Sequence, residues 1–346
     1  MSPRYPRARP AIHRSSFREF REDGDRASIE TRGFWRWVTA PRLDGEGPRA
    51  EEMLPEAELR VLSKGASGGG FFVPSDVSEM VISAARAASP IAQLAQEFLT
   101  ESGETVNVPT AASHGVGAWV AESGSYTPSD ETITNVAIGA HKAATKLIAS
   151  EELRTDAEFS LDDWLAVEFG RRLGALQETA FTTGDGSGKP LGVVTSGNGI
   201  TIVTAATGST TSYKVADVKA LVKAVPQAYR RNASFLIGGD DFAELAALAD
   251  SAGALVLPSL QFDPPSLFGR PVFVSADLPA PAANAKSLVF GDFSLGYAVR
   301  RARGIRLIRQ DELHSDSGQV GYRMLSRVDG KPLLVDALRI LAHSAT

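Results

Sequence analysis

Residues 160–192 read SLDDWLAVEFGRRLGALQETAFTTGDGSGKPLG, one long helical pattern with a glycine-rich stop. Ser160 with Asp163 three positions on forms a capping-box pattern, and Asp162 and Asp163 favour the positive end of a helix. Leu161, Trp164, Leu165, Phe169, Leu173, Leu176 and Ala180 recur at three- and four-residue steps, so they share one face. Trp164, Phe169 and Leu173 are the expected core of that face, with Arg171, Arg172, Gln177 and Glu178 mostly off it. Gly184 ends the pattern and Pro190 prevents its resumption. At roughly 1.5 Å per residue the helix spans about 35 Å, and its apolar face needs a second layer to cover it.

The stop itself, Gly184 to Pro190 (GDGSGKP), has the look of a phosphate loop without its spacing. A Walker A loop places four residues between its first Gly and the Gly-Lys pair and follows the Lys with Ser or Thr. Here position 183 is Thr, position 190 is Pro and a helix leads in. A helix end followed by a turn is the reading that remains.

The chain has 346 residues, enough for one large or two modest domains, with 43% hydrophobic and 22% charged residues. The net charge of −5 excludes nucleic-acid binding by bulk electrostatics. Without cysteine there is no disulfide, thiolate metal site or Cys nucleophile. No apolar run approaches the ~18 residues of a membrane span, and the N-terminus lacks the apolar stretch of a secretory signal.

Residues 1–18 carry five Arg and no acid, among them Arg4, Arg7, Arg9 and Arg14. They form either a solvated tail or an arm that lies on a polyanion or a neighbouring chain. Phe34, Trp37 and Val38 give a small apolar face, and residues 75–88 read as a helix with Val77, Met80, Val81 and Ala84 on one side. Residues 111–150 combine small residues, a turn-rich middle and an alternating arm at Thr134, Val136 and Ile138, the pattern of two long arms joined by residues 123–130. A two-stranded ribbon of this kind is not stable alone in water, so it leans on something outside its own domain. From residue 213 on, short helices alternate with short strands. The whole reads as α+β, with strands drawn from distant parts of the chain.

No catalytic constellation emerges. Gly65 to Gly69 formally matches G-x-S-x-G around Ser67, but a helix precedes it and an extended segment follows, the reverse of a nucleophile elbow. Asp240 and Asp241 fit the first turn of a helix better than an acid pair. Glu312, His314 and Asp316 are metal-ligand types in a polar turn that reads as a hairpin loop. Arg300, Arg301, Arg303, Arg306 and Arg309 form a basic cluster that a strand would divide between two faces. No cofactor is expected.

Seven short motifs, in order, resemble one family: AELRVLS (57–63) with GGFFVP (69–74), WVAE (119–122), KAATKLIASEEL (142–153), GDG (184–186) with PLG (190–192), LFGRPV (267–272), FGD (290–292) and VDGKP (328–332). Together they resemble the major capsid proteins of tailed bacteriophages, with the Hong Kong 97 fold, over roughly residues 58–342. The resemblance implies an N-terminal arm over 1–65, the start of a peripheral domain over 66–110 and an extended loop over 111–143. It implies a peripheral domain over 144–212 with a spine helix over 160–183, an axial domain over 213–299 and returning peripheral strands over 300–346. Strands 303–340 are the implied cover of the long helix.

The implied function is self-assembly as pentamers and hexamers into an icosahedral shell around double-stranded DNA, with a portal at one vertex and a possible decoration protein. The implied setting is a virion capsid, assembled in the host cytoplasm, with no membrane and no enzymatic activity. Trp119, Glu122, Tyr126, Arg300 and Arg301 are the expected inter-subunit contacts, and Arg4, Arg7, Arg9 and Arg14 the expected contacts to interior DNA or a neighbour. The arm is expected to be retained in the particle. Some members of the family join a Lys of the extended loop to an Asn of a neighbour. Between Ala112 and His141 this chain has no Lys, so no covalent link is expected. An encapsulin-type compartment and a gene-transfer-agent shell are the alternatives of the same fold; a soluble hydrolase using Ser67 or Asp240 and Asp241 is the remote one.

Overall fold

The computed structural model describes residues 35, 38, 70–72, 75–113, 119, 132–150, 161–249, 252, 254–310 and 317–346. Its contacts divide the chain into two compact units. One comprises Met1–Met80, Lys146–Ala166 and Arg306–Arg323; the other comprises Val81–Thr145, Val167–Ile305 and Met324–Thr346.

The chain begins with strand β1 (Gly70–Phe72), helices α1 (Ser75–Ala87) and α2 (Pro90–Leu94) and strands β2 (Gln96–Thr100), β3 (Val106–Ser113), β4 (Thr132–Ile138) and β5 (His141–Ser150). Helix α3 (Leu161–Thr183) follows, its 23 residues matching the sequence expectation. The C-terminal half holds β6 (Thr201–Thr204), α4 (Val215–Ala224), β7 (Ser234–Gly238), α5 (Gly239–Ala246), β8 (Ser266–Leu267), β9 (Arg270–Ser275) and β10 (Lys286–Gly291). It closes with α6 (Phe293–Gly296), β11 (Tyr297–Gln310), β12 (Gln319–Pro332) and β13 (Leu338–Ala342).

In the first unit, β1 pairs antiparallel with β11, Gly70 opposite Ile308 and Phe72 opposite Arg306. Val38 is fully buried. Its carbonyl accepts from the Tyr322 hydroxyl at 2.9 Å and from Arg309 Nη1 at 3.4 Å. Trp164 departs from expectation: it is 40% exposed, whereas Leu165 beside it is buried.

In the second unit the buried side of α3 contains Phe169, Leu173 and Phe181, as the apolar spacing requires, but also Gly170, Gly174, Gln177 and Glu178. A Cβ on Gly170 would stand 2.4 Å from the Ala84 Cβ and 2.8 Å from the Val81 carbonyl oxygen; one on Gly174 would stand 2.4 Å from the Ala85 carbonyl oxygen. The glycines let α1 approach α3 backbone to backbone. Helix α1 is thus a cover of α3 that the sequence reading assigned only to C-terminal strands. Leu176, expected in the core, is 49% exposed.

Glu178 is buried because three donors replace its water. The Ser89 hydroxyl reaches Oε2 at 2.6 Å, the Ile91 N–H reaches the same oxygen at 3.1 Å, and the Ser275 hydroxyl reaches Oε1 at 2.7 Å. Gly184 ends α3 for a reason other than a left-handed cap. A Cβ there would lie 2.2 Å from the Pro190 carbonyl oxygen, where the chain turns back and Asp185 bridges to Leu191.

One sheet runs β1-β11-β12-β5, with β2 parallel on β11. A second, six-stranded sheet runs β6-β13-β10-β7-β9-β8. All five residues of β7 and of β13 are buried. Phe235 and Phe290 face each other in register, ring centroids 4.3 Å apart, at the centre of a cluster with Val218, Leu221, Leu245 and Leu341. This sheet joins 201–204 and 338–342, expected among the peripheral segments, to strands within 213–299. In the β8–β9 hairpin, Phe268 and Gly269 both take positive φ, 51° and 72°, as a two-residue type I′ turn demands.

Candidate functional site

The ribbon expected over 111–143 is present, with its arms placed earlier. Strands β3 and β4 pair from Val106 opposite Ile138 to Ser113 opposite Thr132, with a bulge between Ala111 and Ser113. The segment TVNVP, which reads as a short separate strand, is one arm of the ribbon. Among the described residues the two strands pair only with each other, and Ile133 is 65% exposed. Trp119, beyond the paired arms, is fully exposed at 104%. Glu122 and Tyr126 lie outside the described residues.

What holds the ribbon is its root. Arg300 is fully buried, and its Nη1 donates to the carbonyls of Ile138 and Gly139, each at 2.9 Å. Its Nη2 donates to the Ser102 carbonyl at 3.0 Å and its Nε to Thr100 Oγ1 at 3.0 Å. A planar guanidinium matches four acceptors spread in one plane, which an ammonium cannot. From the other side Asp329, also fully buried, accepts from the Gly139 N–H at 2.6 Å, and Lys331 Nζ donates to the Ala137 carbonyl at 2.7 Å. Burial pulls the Arg300 guanidinium below its usual range, and the Asp329 carboxylate opposes that.

Arg301 points to the opposite face of β11, as strand alternation requires. It is buried, paired with Glu97 and bonded through Nη1 to Gln177 Oε1 at 2.9 Å. Neither arginine is therefore available to a neighbouring subunit. Against the expectation that Arg300 and Arg301 are exposed inter-subunit contacts, both are buried: Arg300 spends Nε, Nη1 and Nη2 within the chain, and Arg301 spends Nε and Nη1, its Nη2 having no acceptor among the described residues. Sequence alone gave no sign of this, because the carbonyls that Arg300 holds belong to residues of no particular type.

Beside the root lies a cavity of about 350 Å³. Its apolar wall is an exposed stripe of α3, with Leu176, Ala180 and Thr183 one turn apart, closed by Val328. Lys142 and Lys189 line it as well. Gln177 also lines it, and its amide Nε2 has no acceptor.

A serine, a histidine and an aspartate do meet in the second sheet, but not as a catalytic triad. Ser287 Oγ lies 3.1 Å from His343 Nε2, and Asp241 Oδ1 lies 3.2 Å from the same nitrogen without a directed hydrogen bond. In a triad the acid orients the other ring nitrogen; here Nδ1 faces the Ser209 carbonyl at 3.2 Å. The His343 ring stacks on Tyr213 at 4.0 Å, and the group is buried. Burial raises the Asp241 carboxyl and the Tyr213 hydroxyl above their ordinary values. The arrangement is a buried polar cluster in which neither Asp241 oxygen makes a directed hydrogen bond. Asp240 and Asp241 occupy the first turn of α5, as expected.

Glu312, His314 and Asp316, the G-x-S-x-G around Ser67, and Arg4, Arg7, Arg9 and Arg14 lie outside the described residues. Among the described residues no group of His, Asp or Glu could hold a metal ion, and no helix is long and apolar enough to cross a membrane.

Comparison with known proteins agrees with this architecture. Residues 69–342 match the model of the phage capsid family. No curated protein matches. Among solved structures, the capsid of an empty GTA particle, computed with C5 symmetry, is 26% identical with a TM-score of 0.65, over 75% of this chain and 90% of that one. The capsid of the native GTA particle is 27% identical with a TM-score of 0.64, at the same coverage. A protein of Mycobacterium phage Bobi shares the fold at 17% identity and a TM-score of 0.56, over 75% of this chain and 91% of that one. The chain belongs to the phage capsid family, with a Hong Kong 97-like α+β fold, and is a major capsid protein, a structural subunit of a shell.

Proposed function

We propose that copies of this chain assemble as pentamers and hexamers into an icosahedral shell enclosing double-stranded DNA, with a portal at one vertex, in the cytoplasm of a bacterial host. The observation that carries this reading is the ribbon: a two-stranded projection anchored by Arg300 and Asp329, whose Ile133 and Trp119 meet little or nothing of their own chain. Such a projection is stabilised by lying on another copy. A rigid body with hinged projections can occupy both five- and six-fold rings, and many weak contacts sum through multivalency. The six-stranded sheet serves as the axial domain, α3 as the spine, and the basic arm contacts packaged DNA or clasps a neighbour.

Electron microscopy of the purified protein tests the shell: closed particles are expected, and a monomer with no particles at any concentration overturns the proposal. Deleting residues 2–18 separates the two roles of the arm. Loss of retained DNA with intact shells supports the DNA contact; loss of particle stability supports the clasp.

The higher identity to the GTA capsids favours, as a second reading, a shell of that kind. Sequencing the nucleic acid inside purified particles separates a phage genome from host-derived DNA. Particles with none would indicate a compartment for protein cargo.

A further inference from the structure

We propose that the cavity beside Leu176 is the socket for Trp119 of a second copy of this chain, an inference that rests on the shell reading above. The two features are complementary and each is unmatched within its own chain. Trp119 is fully exposed, the largest apolar side chain type held entirely in water. The cavity, about 350 Å³, sits at the small end of pockets that enclose a ligand. It accommodates one indole with its flanking backbone and is too small for a folded element. Leu176, at 49% exposure, is the apolar residue that the socket leaves uncovered.

Charge selects the same occupant. Between Trp119 and Thr132 the sequence carries Glu122, Asp130 and Glu131 and no cation. The socket is bordered by Lys142 and Lys189; Lys189 already pairs with Asp185 at 3.4 Å, an exposed contact that a second acid can share. An acidic segment approaching two lysines is steered before it docks. Aromatic anchors seated in pockets near an interface centre carry much of its binding energy. The ribbon thus acts as a latch whose tongue is one tryptophan.

The absence of native cysteine makes the test clean. Trp119→Cys and Leu176→Cys chains are co-assembled, each diluted into unaltered chain so that shells form, and treated with a short bis-maleimide. A cross-linked dimer is expected from the mixture and from neither variant alone; shells that yield no such dimer overturn the assignment. A second arm uses surface changes only. Lys142→Glu with Lys189→Glu is expected to leave the melting temperature of the unassembled subunit unchanged and to raise the critical concentration for assembly roughly thirtyfold, the scale of a hot-spot residue. An unchanged critical concentration overturns the proposal. Failure of the unaltered chain to form shells would instead remove the shell reading on which it rests.

Discussion

Arg300 Nη1 donates to the Gly139 carbonyl at 2.9 Å across 161 positions of the chain. Gly139 is the residue at which the ribbon leaves the body, and Asp329 takes its N–H from the other side at 2.6 Å. The angle at which the ribbon projects is therefore set by a buried cation and a buried anion, not by a hydrophobic hinge.

Arg300→Lys tests that statement. The lysine keeps the charge but cannot serve four acceptors in a fork, and each buried carbonyl left without a donor costs about 1–3 kcal/mol. A loss of roughly 2–4 kcal/mol in subunit stability is expected, read by thermal unfolding. Shells that form should vary in size under electron microscopy, because the projection angle is no longer held.

Gly170→Ala sets helix propensity against packing. Propensity alone favours Ala by about 1 kcal/mol. The added Cβ meets Ala84 Cβ at 2.4 Å and the Val81 carbonyl at 2.8 Å, and overpacking of this kind costs typically 1–3 kcal/mol. Packing should win, so that the variant melts lower than the parent. Phe169→Ala, at a fully buried site, should lose about 3–5 kcal/mol and block assembly through misfolding.

Glu178 and Glu168, ten positions apart on α3, should respond to pH with opposite signs. Burial raises Glu178 above its ordinary 4.5, outweighing the donors Ser89, Ser275 and Ile91. Its contribution is fully present below 4.5 and is lost as pH rises through the folded value. Against Glu178→Gln, the parent should gain melting temperature as pH falls from 8 towards 5. Glu168 is held at about 2, first by its hydrogen bond to Arg171 and then by Arg172. Its contribution is present above 4.5 and is lost as pH falls towards about 2, and exposure of Arg171 and Arg172 keeps it to below about 1 kcal/mol. The advantage of the parent over Glu168→Gln should therefore shrink in acid.

Mature particles should run as single chains on a denaturing gel. Lys142, the lysine nearest the ribbon along the chain, stands at its base beside the cavity. A ladder of covalent oligomers would contradict this.

What could be read from the chain was whatever periodicity and motif order carry. The long helix over 161–183, the burial of Phe169 and Leu173 and the family were all visible in residue spacing and motif order. Trp164 and Leu176 were misplaced because the buried stripe of α3 includes glycines, which give no apolar signal, and Gln177 and Glu178, whose burial depends on donors up to 124 positions away. The strand 338–342 was grouped with the peripheral strands because four buried apolar residues beside Arg339 fit a central strand of either sheet. Arg300 read as a surface cation because three of its four partners are main-chain carbonyls, which no residue type announces. The cavity was invisible for a related reason: its walls come from three separate segments.

Strand β13 lies between β6 and β10, yet it is the last of the six strands to be synthesised. Until residues 338–342 leave the ribosome, β6 has no partner and β10 has one bare edge, so the domain holds an open seam rather than a finished sheet. A chain cut short before that point cannot complete the fold that its neighbours must meet. The six-stranded sheet is thus closed by its last strand, and a chain that stops short of residue 338 leaves β6 and one edge of β10 unpaired.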